Sequence, residues 1–293
     1  MGNLADLYNL AKFANRHPLA SRKRKQTFIR FLRWQFASRA IRAPIVLPFI
    51  GDTRLIISKA MPGAAVNYYF GLPEVEEVAL ALHFLRPGEL LGDIGANIGA
   101  LSVAVAGVAR ARVVAMEPVP STYRALRDNI AINHLHDLVQ AHAAGAGETE
   151  GTLNFSTDRG GNDRIVSDGT GTATPVLPLD TVLTETPDML VLDVEGFEPA
   201  VVKGARRVLA DPRLKIVIVE TLGLAADYAL DDKAMHRTML DHEFQTCRYD
   251  PMRRQLDPTN GMDPVNTVYV RDLPMAQTRL KEAPSFEVDG RTF

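Results

Sequence analysis

Short apolar runs and longer amphipathic stretches alternate along most of the chain. The apolar runs are Leu90 to Ile94, R-V-V-A-M-E (112–117), Val139 to Ala144, D-M-L-V-L-D-V (188–194), K-I-V-I-V-E (215–220), F-Q-T-C-R-Y (244–249) and N-T-V-Y-V-R (266–271). Between them, about Ile98 to Val108, 121–133, about Glu198 to Leu209 and 231–242 place apolar residues at helical spacing. Runs with little in–out alternation predict strands buried on both faces. Helices between them predict parallel crossovers, hence an α/β fold with a doubly wound, mostly parallel sheet.

Upstream, I-V-L-P-F-I-G-D-T-R-L-I-I-S-K (45–59) predicts a hairpin turning at Gly51 and Asp52, and 72–85 a helix with acids in its first turn. The Gly-, Asp- and Thr-rich segment 157–172 predicts a loop, and the residues after Pro274 a loosely ordered tail. The expected organisation is an N-terminal extension over 1–64, one large domain over 65–273 and a tail over 274–293.

Charge changes the picture at one place. The 293 residues carry a net charge of −2, yet Ala20 to Arg42 holds eight basic residues and no acidic one. Phe28, Phe31, Leu32 and Phe36 recur there at helical spacing, with Trp34 nearby. The favoured reading is a helix packing its aromatic face on the main domain; peripheral contact of 20–42 with a membrane surface is the alternative. An acidic chain without a legible base-stacking module speaks against nucleic acid. No apolar run reaches the roughly 20 residues of a membrane span. The N-terminus lacks the order of a secretory signal, Asp6 stands where a myristoylation signal needs Ser or Thr, and Cys247 is the only cysteine. These features suit a reduced, cytoplasmic protein.

The chemistry gathers where the first central strand ends, in D-I-G-A-N-I-G (93–99). In a doubly wound sheet ligands bind outside the carboxyl ends of the strands. Gly95 would let the turn form and a ligand lie on the main chain, Gly99 would let helix and strand approach, and Asn97 would turn the backbone or donate a hydrogen bond. A pyrophosphate loop presents bare amides to its anion. Here Asp93 would put a carboxylate in the mouth, which repels pyrophosphate and attracts a cation. Glu117, before Pro118 at the end of the second strand, suits two ribose hydroxyls. A ribose, a cationic portion and no pyrophosphate describe S-adenosylmethionine. A plain capping turn and a dinucleotide site are the alternatives.

D-I-G-A-N-I-G, V-V-A-M-E-P, L-R-D-N-I-A-I-N, L-P-L-D-T-V-L and L-D-V-E-G-F-E-P-A-V-V-K-G-A-R, in this order over about residues 65–222, resemble the FkbM family of S-adenosylmethionine-dependent methyltransferases. N-Y-Y-F-G-L-P-E (67–74) is similar to bacterial members. The resemblance implies a Rossmann-like class I methyltransferase fold, with a seven-stranded sheet whose last strand is antiparallel. It also implies O-methylation of a hydroxyl on a sugar, glycan or natural product. Carried over by position, Asp93, Gly95, Asn97 and Gly99 match the cofactor loop and Glu117 the ribose ligand, with His142 and Ala143 passing the adenine. The chain departs from the family pattern in reading A-A-G-A-G-E beyond the third strand, where an acid is frequent. Val191 also stands where many members have lysine.

Methyl transfer to an alcohol needs an aligned acceptor and a proton sink. Asp193 and Glu195, at the end of the fourth strand, are the candidate base or orienting groups; the alternative for Glu195 is to cap the next helix. Asp193, Glu195 and Glu220 together could hold a divalent metal, though acids at strand ends are more often polar lining. Tyr69, Asn162, Arg164 and Glu220 are the candidate acceptor contacts, with 157–172 either a lid over the acceptor or a plain surface insertion. N-methylation, and action on a protein or a lipid-linked glycan, are the runner-up readings, and a non-catalytic cofactor-binding protein is the alternative from a different class.

Overall fold

The computed structural model describes residues 17, 21, 23–40, 43–58, 67–72, 74–156, 165–166 and 171–293. Helix α1 (Arg24–Ala40) and the hairpin β1 (Ile45–Pro48) and β2 (Arg54–Ile57) come first, the hairpin turning at Gly51 as its sequence predicts. Helix α2 (Val75–Phe84) follows, buried along most of its length.

The α/β series then unfolds as strand and helix in turn. It runs β3 (Leu90–Ile94), α3 (Ala100–Ala104), β4 (Arg112–Met116), α4 (Pro120–Ile132) and β5 (Val139–His142). A small sheet follows, made of β6 (Gly145–Ala146), β7 (Gly151–Phe155) and β8 (Thr172–Leu177), which the sequence pattern did not announce. The main series resumes with α5 (Leu179–Val182), β9 (Met189–Leu192), α6 (Glu198–Lys203), α7 (Arg206–Ala210), β10 (Ile216–Glu220) and α8 (Asp232–Asp241). Strands β11 (Gln245–Asp250), β12 (Gln255–Pro258) and β13 (Asn266–Val270), helix α9 (Leu273–Lys281) and the short pair β14 (Glu287–Val288) and β15 (Arg291–Thr292) complete the chain.

The central sheet has the order β12-β11-β13-β10-β9-β3-β4-β5. Strands β10, β9, β3, β4 and β5 run parallel to one another, and β13 runs antiparallel between β10 and β11. Seven of these strands are the expected ones, including the antiparallel last strand. The eighth, β12, is an edge strand that turns back on β11 and that the sequence reading did not foresee. From β3 the chain steps outward one way to β4 and β5, then crosses to β9 and β10 on the other side. The crevice between the β3 and β9 ends is therefore the switch point.

Apolar clusters cover both faces of the sheet, which explains why its strands read as continuous runs rather than alternating ones. Two helices differ from their predicted forms for local reasons. The helix after β3 widens into a π turn at Val105–Ala109, where a Cβ on Gly107 would lie 2.3 Å from Thr53 Cγ2 of the hairpin. The helix after β9 breaks between α6 and α7 at Gly204, whose Cβ position lies 2.0 Å from the Gly147 carbonyl oxygen.

Two expectations fail. The tail is ordered: Ala276, Leu280, Phe286 and Phe293 are buried, the Arg279 guanidinium lies 5.0 Å from the Phe84 ring centroid, and Arg254 donates to the Phe293 carbonyl at 2.9 Å. The basic helix α1 does not pack the predicted aromatic face. Trp34, Thr27 and Phe31 turn inward, whereas Phe28, Leu32 and Phe36 are exposed.

Candidate active site

Strand alternation decides what the loop after β3 shows to solvent. Ile94 borders a cleft at the carboxyl edge, so Asp93, one residue earlier, points to the opposite side and meets α3. Asp93 is buried and accepts a hydrogen bond from Ser102 Oγ at 2.5 Å; it is not among the residues lining the cleft. Burial raises its pKa to about 6 against the opposing pull of Ser102. The cleft wall is instead made by Gly95 and Asn97. Gly95 has φ +88°, and a Cβ there would stand 1.7 Å from the Asp193 carbonyl oxygen. The glycine thus serves the close approach of the β3 and β9 loops. Gly99, at φ +83°, faces Leu126 of α4, so its missing side chain seats one helix start against another helix.

Glu117 leaves β4 and ties two loops together. Its Oε2 accepts from the Asn97 amide at 3.0 Å and its Oε1 from the Val119 amide at 2.8 Å, while the Glu117 amide donates to the His142 carbonyl at 3.1 Å. A carboxylate has about four lone-pair positions. Two are engaged by these amides, and Glu117 also lines the cleft. Pro118 and Thr122 continue this wall, followed by Ala144, Gly145 and Ala146. Phe155 of β7, Ile165 and Phe197 give it apolar surface.

The opposite wall is acidic. Asp193 and Glu195 follow β9 and line the same cleft, and Glu220 ends β10 next to them in the sheet. Glu220 Oε2 is buried without a hydrogen-bond partner, beside the Asp193 end of β9. Burial, then repulsion from Glu195 and Glu198, pushes Glu220 up to about 8. Burial and then Glu220 raise Asp193 well above the ordinary carboxylate range. Two neighbouring buried carboxyls that repel each other cannot both ionise freely, so the pair holds a proton near neutral pH. Glu74, exposed just before α2, adds its repulsion to both.

Glu195 sits at φ +55°, followed by Gly196 at φ +100°, a left-handed pair held in a tight turn. Glu198, not Glu195, makes the hydrogen bonds to the turn's amides: its Oε1 accepts from Val194 at 2.9 Å and from Gly196 at 3.2 Å. A non-glycine residue held in the left-handed region beside a cleft marks a turn whose shape the surroundings enforce.

A model of the FkbM methyltransferase domain matches residues 93–249, more than half of the chain and the whole span just described. The chain belongs to the FkbM methyltransferase family. That family is one of S-adenosylmethionine-dependent enzymes. Among solved structures, the chain is similar to methyltransferase FkbM from Methylobacillus flagellatus KT, at 20% identity and TM-score 0.45, over 70% of this chain and 52% of that one. It is also similar to Pyrococcus horikoshii TYW2, whose structure holds MeSAdo, at 16% identity and TM-score 0.39, over 78% of this chain and 70% of that one. A curated relative, the Pyrococcus horikoshii tRNA(Phe) (4-demethylwyosine(37)-C(7)) aminocarboxypropyltransferase, is 34% identical over 73 residues, 25% of this chain and 26% of its own. The chain therefore spans about half of the first structure and about a quarter of the curated relative. The family match and the mostly parallel sheet with its antiparallel β13 together carry the class I methyltransferase fold.

Not every residue singled out in this FkbM-family sequence reaches the cleft. His142 and Ala143 fall short: Ala143 is exposed, His142 Nε2 is buried without a hydrogen-bond partner, and Ala144 to Ala146 line the wall instead. Burial lowers the His142 pKa, so the ring is neutral at pH 7. Tyr69 belongs to the core, its ring 5.4 Å from Phe31 and 6.3 Å from both Tyr68 and Phe70, because α1 packs over it. Asn162, Arg164 and most of the expected lid lie outside the described residues. Among the described residues no group of three His, Cys, Asp or Glu is arranged to hold a metal ion, and Asp193, Glu195 and Glu220 do not form one. Phe155, Ile165 and Phe197 were not foreseen; only the aromatic in G-F-E-P hinted at one of them.

Proposed function

We propose that the chain transfers a methyl group from S-adenosylmethionine to a hydroxyl of a sugar, glycan or natural-product acceptor. The observation that carries this reading is one cleft with Glu117 on one wall and Asp193 and Glu195 on the other. The residues present suit the cofactor. Glu117 presents a carboxylate to the cleft where two ribose hydroxyls would lie, Ala144 to Ala146 and Phe155 offer apolar surface for an adenine, and the acidic wall complements a cation. When bound, the cofactor supplies an electrophilic methyl group on a positively charged sulfur.

The chain's residues do the remaining work. Gly95 and Asn97 shape the floor, and Asp93 holds that loop from below through Ser102. Once the buried pair has lost its proton, the Asp193 carboxylate accepts a hydrogen bond from the acceptor hydroxyl and takes its proton as the oxygen forms its bond to the methyl carbon. Glu195 orients the hydroxyl from the same turn. An acid-lined wall disfavours a polyanionic acceptor, which supports a neutral small molecule or glycan over nucleic acid. It would also attract a cationic amine, the observation that keeps N-methylation as a second reading.

Residues 65–273 are proposed as the catalytic domain, and a cytoplasmic location accords with the single, buried Cys247. The test is transfer of label from methyl-labelled S-adenosylmethionine to a panel of polyols, glycosides and amines. Label on a hydroxyl, lost in Asp193→Asn with cofactor binding retained, supports the reading. Label on amines alone would replace it with the second one.

A further inference from the structure

We infer that the outward face of α1 docks the protein on a bilayer surface rich in anionic phospholipid. The helix carries two apolar stripes. One faces inward and fixes the helix: Trp34 is buried with its ring 6.1 Å from that of Tyr68, and Phe31 sits 5.4 Å from Tyr69. Arg30 clamps the same side, donating to Asp289 through Nη2 at 2.7 Å and Nη1 at 3.2 Å, and Lys23 pairs with Asp289 as well.

The other stripe has no protein over it among the described residues. Phe28, Leu32 and Phe36 follow one another at about one helical turn, with Ile29 beside them, and are 54%, 39%, 76% and 46% exposed in the order Phe28, Leu32, Phe36, Ile29. Large apolar side chains at that exposure on a helix already anchored by its opposite face exceed the scattered apolar residues of an ordinary surface.

Charge selects the occupant. Arg24, Lys25 and Arg33 are exposed along this stripe, and no Asp or Glu occurs anywhere from residue 7 to residue 51. Exposed aromatics rimmed by cations, with no acid nearby, match an interfacial helix whose apolar stripe enters the headgroup–acyl boundary while its cations meet lipid phosphates. A symmetric dimer through the same face would set this acid-free surface against itself. The inference is independent of the methyl acceptor and goes beyond the reading of the cleft.

Co-sedimentation of the full chain with vesicles tests it, comparing phosphatidylcholine alone with phosphatidylcholine containing phosphatidylglycerol. Binding is expected only to the anionic vesicles and should weaken as salt rises. Replacing Arg24, Lys25 and Arg33 by Gln should lower the partition coefficient by about fivefold per cation, and Phe28→Asp with Leu32→Asp should abolish binding. Both variants must keep the wild-type melting temperature. If the double variant does not, Phe36→Asp, at the most exposed of these side chains, takes its place. No binding to anionic vesicles, or binding unchanged in these variants, overturns the inference. So does a concentration-dependent dimer in sedimentation velocity that Phe36→Asp dissolves, since the face would then serve a second copy.

Discussion

Glu117 and Glu220 are both acids at strand ends, yet their surroundings set them to different tasks. Glu117 accepts hydrogen bonds from two backbone amides and ties two loops together at the cleft. Glu220 meets a second carboxyl and a low-dielectric interior, so it keeps a proton up to about pH 8. A carboxyl whose pKa folding raises binds a proton that the unfolded chain releases. Stability from this group is therefore greatest below the unfolded value of 4.5, falls as pH rises toward about 8, and is flat above it. Glu220→Gln removes the cost of ionising this buried group. The variant should melt higher than wild type above pH 8, with the difference shrinking toward pH 5. Equal melting temperatures across that range would show that Glu220 does not carry the buried proton. Turnover in wild type should rise with pH through the same interval, because a proton sink works only when it is unprotonated.

At the scale of elements, the β3 and β9 loops form the site because they touch, and Gly95 is the contact. Two glycines separate backbone strain from crowding: Gly88 and Gly95 have φ of +84° and +88°, but only Gly95 has an atom, the Asp193 carbonyl oxygen, in its Cβ position. Gly88→Ala should cost about 1–2 kcal/mol of unfolding free energy, and Gly95→Ala at least about 3 kcal/mol more, measured by urea denaturation. Similar losses at both sites would mean that the loops part easily. The tail makes a second element-scale prediction. Truncation after Asp272 would uncover the seats of Ala276, Leu280, Phe286 and Phe293, so the shortened chain should melt well below wild type or fail to fold. An unchanged melting curve would return these residues to the loose tail that the sequence suggested. That misreading has a physical origin: P-S-F-E-V-D-G-R-T-F has too few apolar residues to show a period, and its aromatics are buried by distant partners. The small sheet β6–β8 escaped notice similarly, since Pro175 within β8 argues against a strand when read from sequence alone.

For the molecule as a whole, the sheet was legible because burial on both faces writes continuous apolar runs, and the turn D-I-G-A-N-I-G because its glycines answer to backbone geometry. Side-chain direction was less legible. One position of strand alternation separates Asp93, beneath the loop, from Ile94, beside the cleft, and the cleft lining resumes two residues beyond His142. The reversed face of α1 has the same source, because apolar residues on both sides of a helix leave its period silent about which side is covered.

The proposed function places S-adenosylmethionine in one cleft, and the first measurement is a calorimetric titration of S-adenosylhomocysteine into wild type, Glu117→Ala and Asp193→Asn. Saturable binding to wild type at one site is expected, weakened about 10–100-fold in Glu117→Ala through loss of charge-assisted hydroxyl bonds and nearly unchanged in Asp193→Asn. Absence of binding to the wild type, or equal affinity for all three proteins, would contradict the assignment of this cleft to the cofactor.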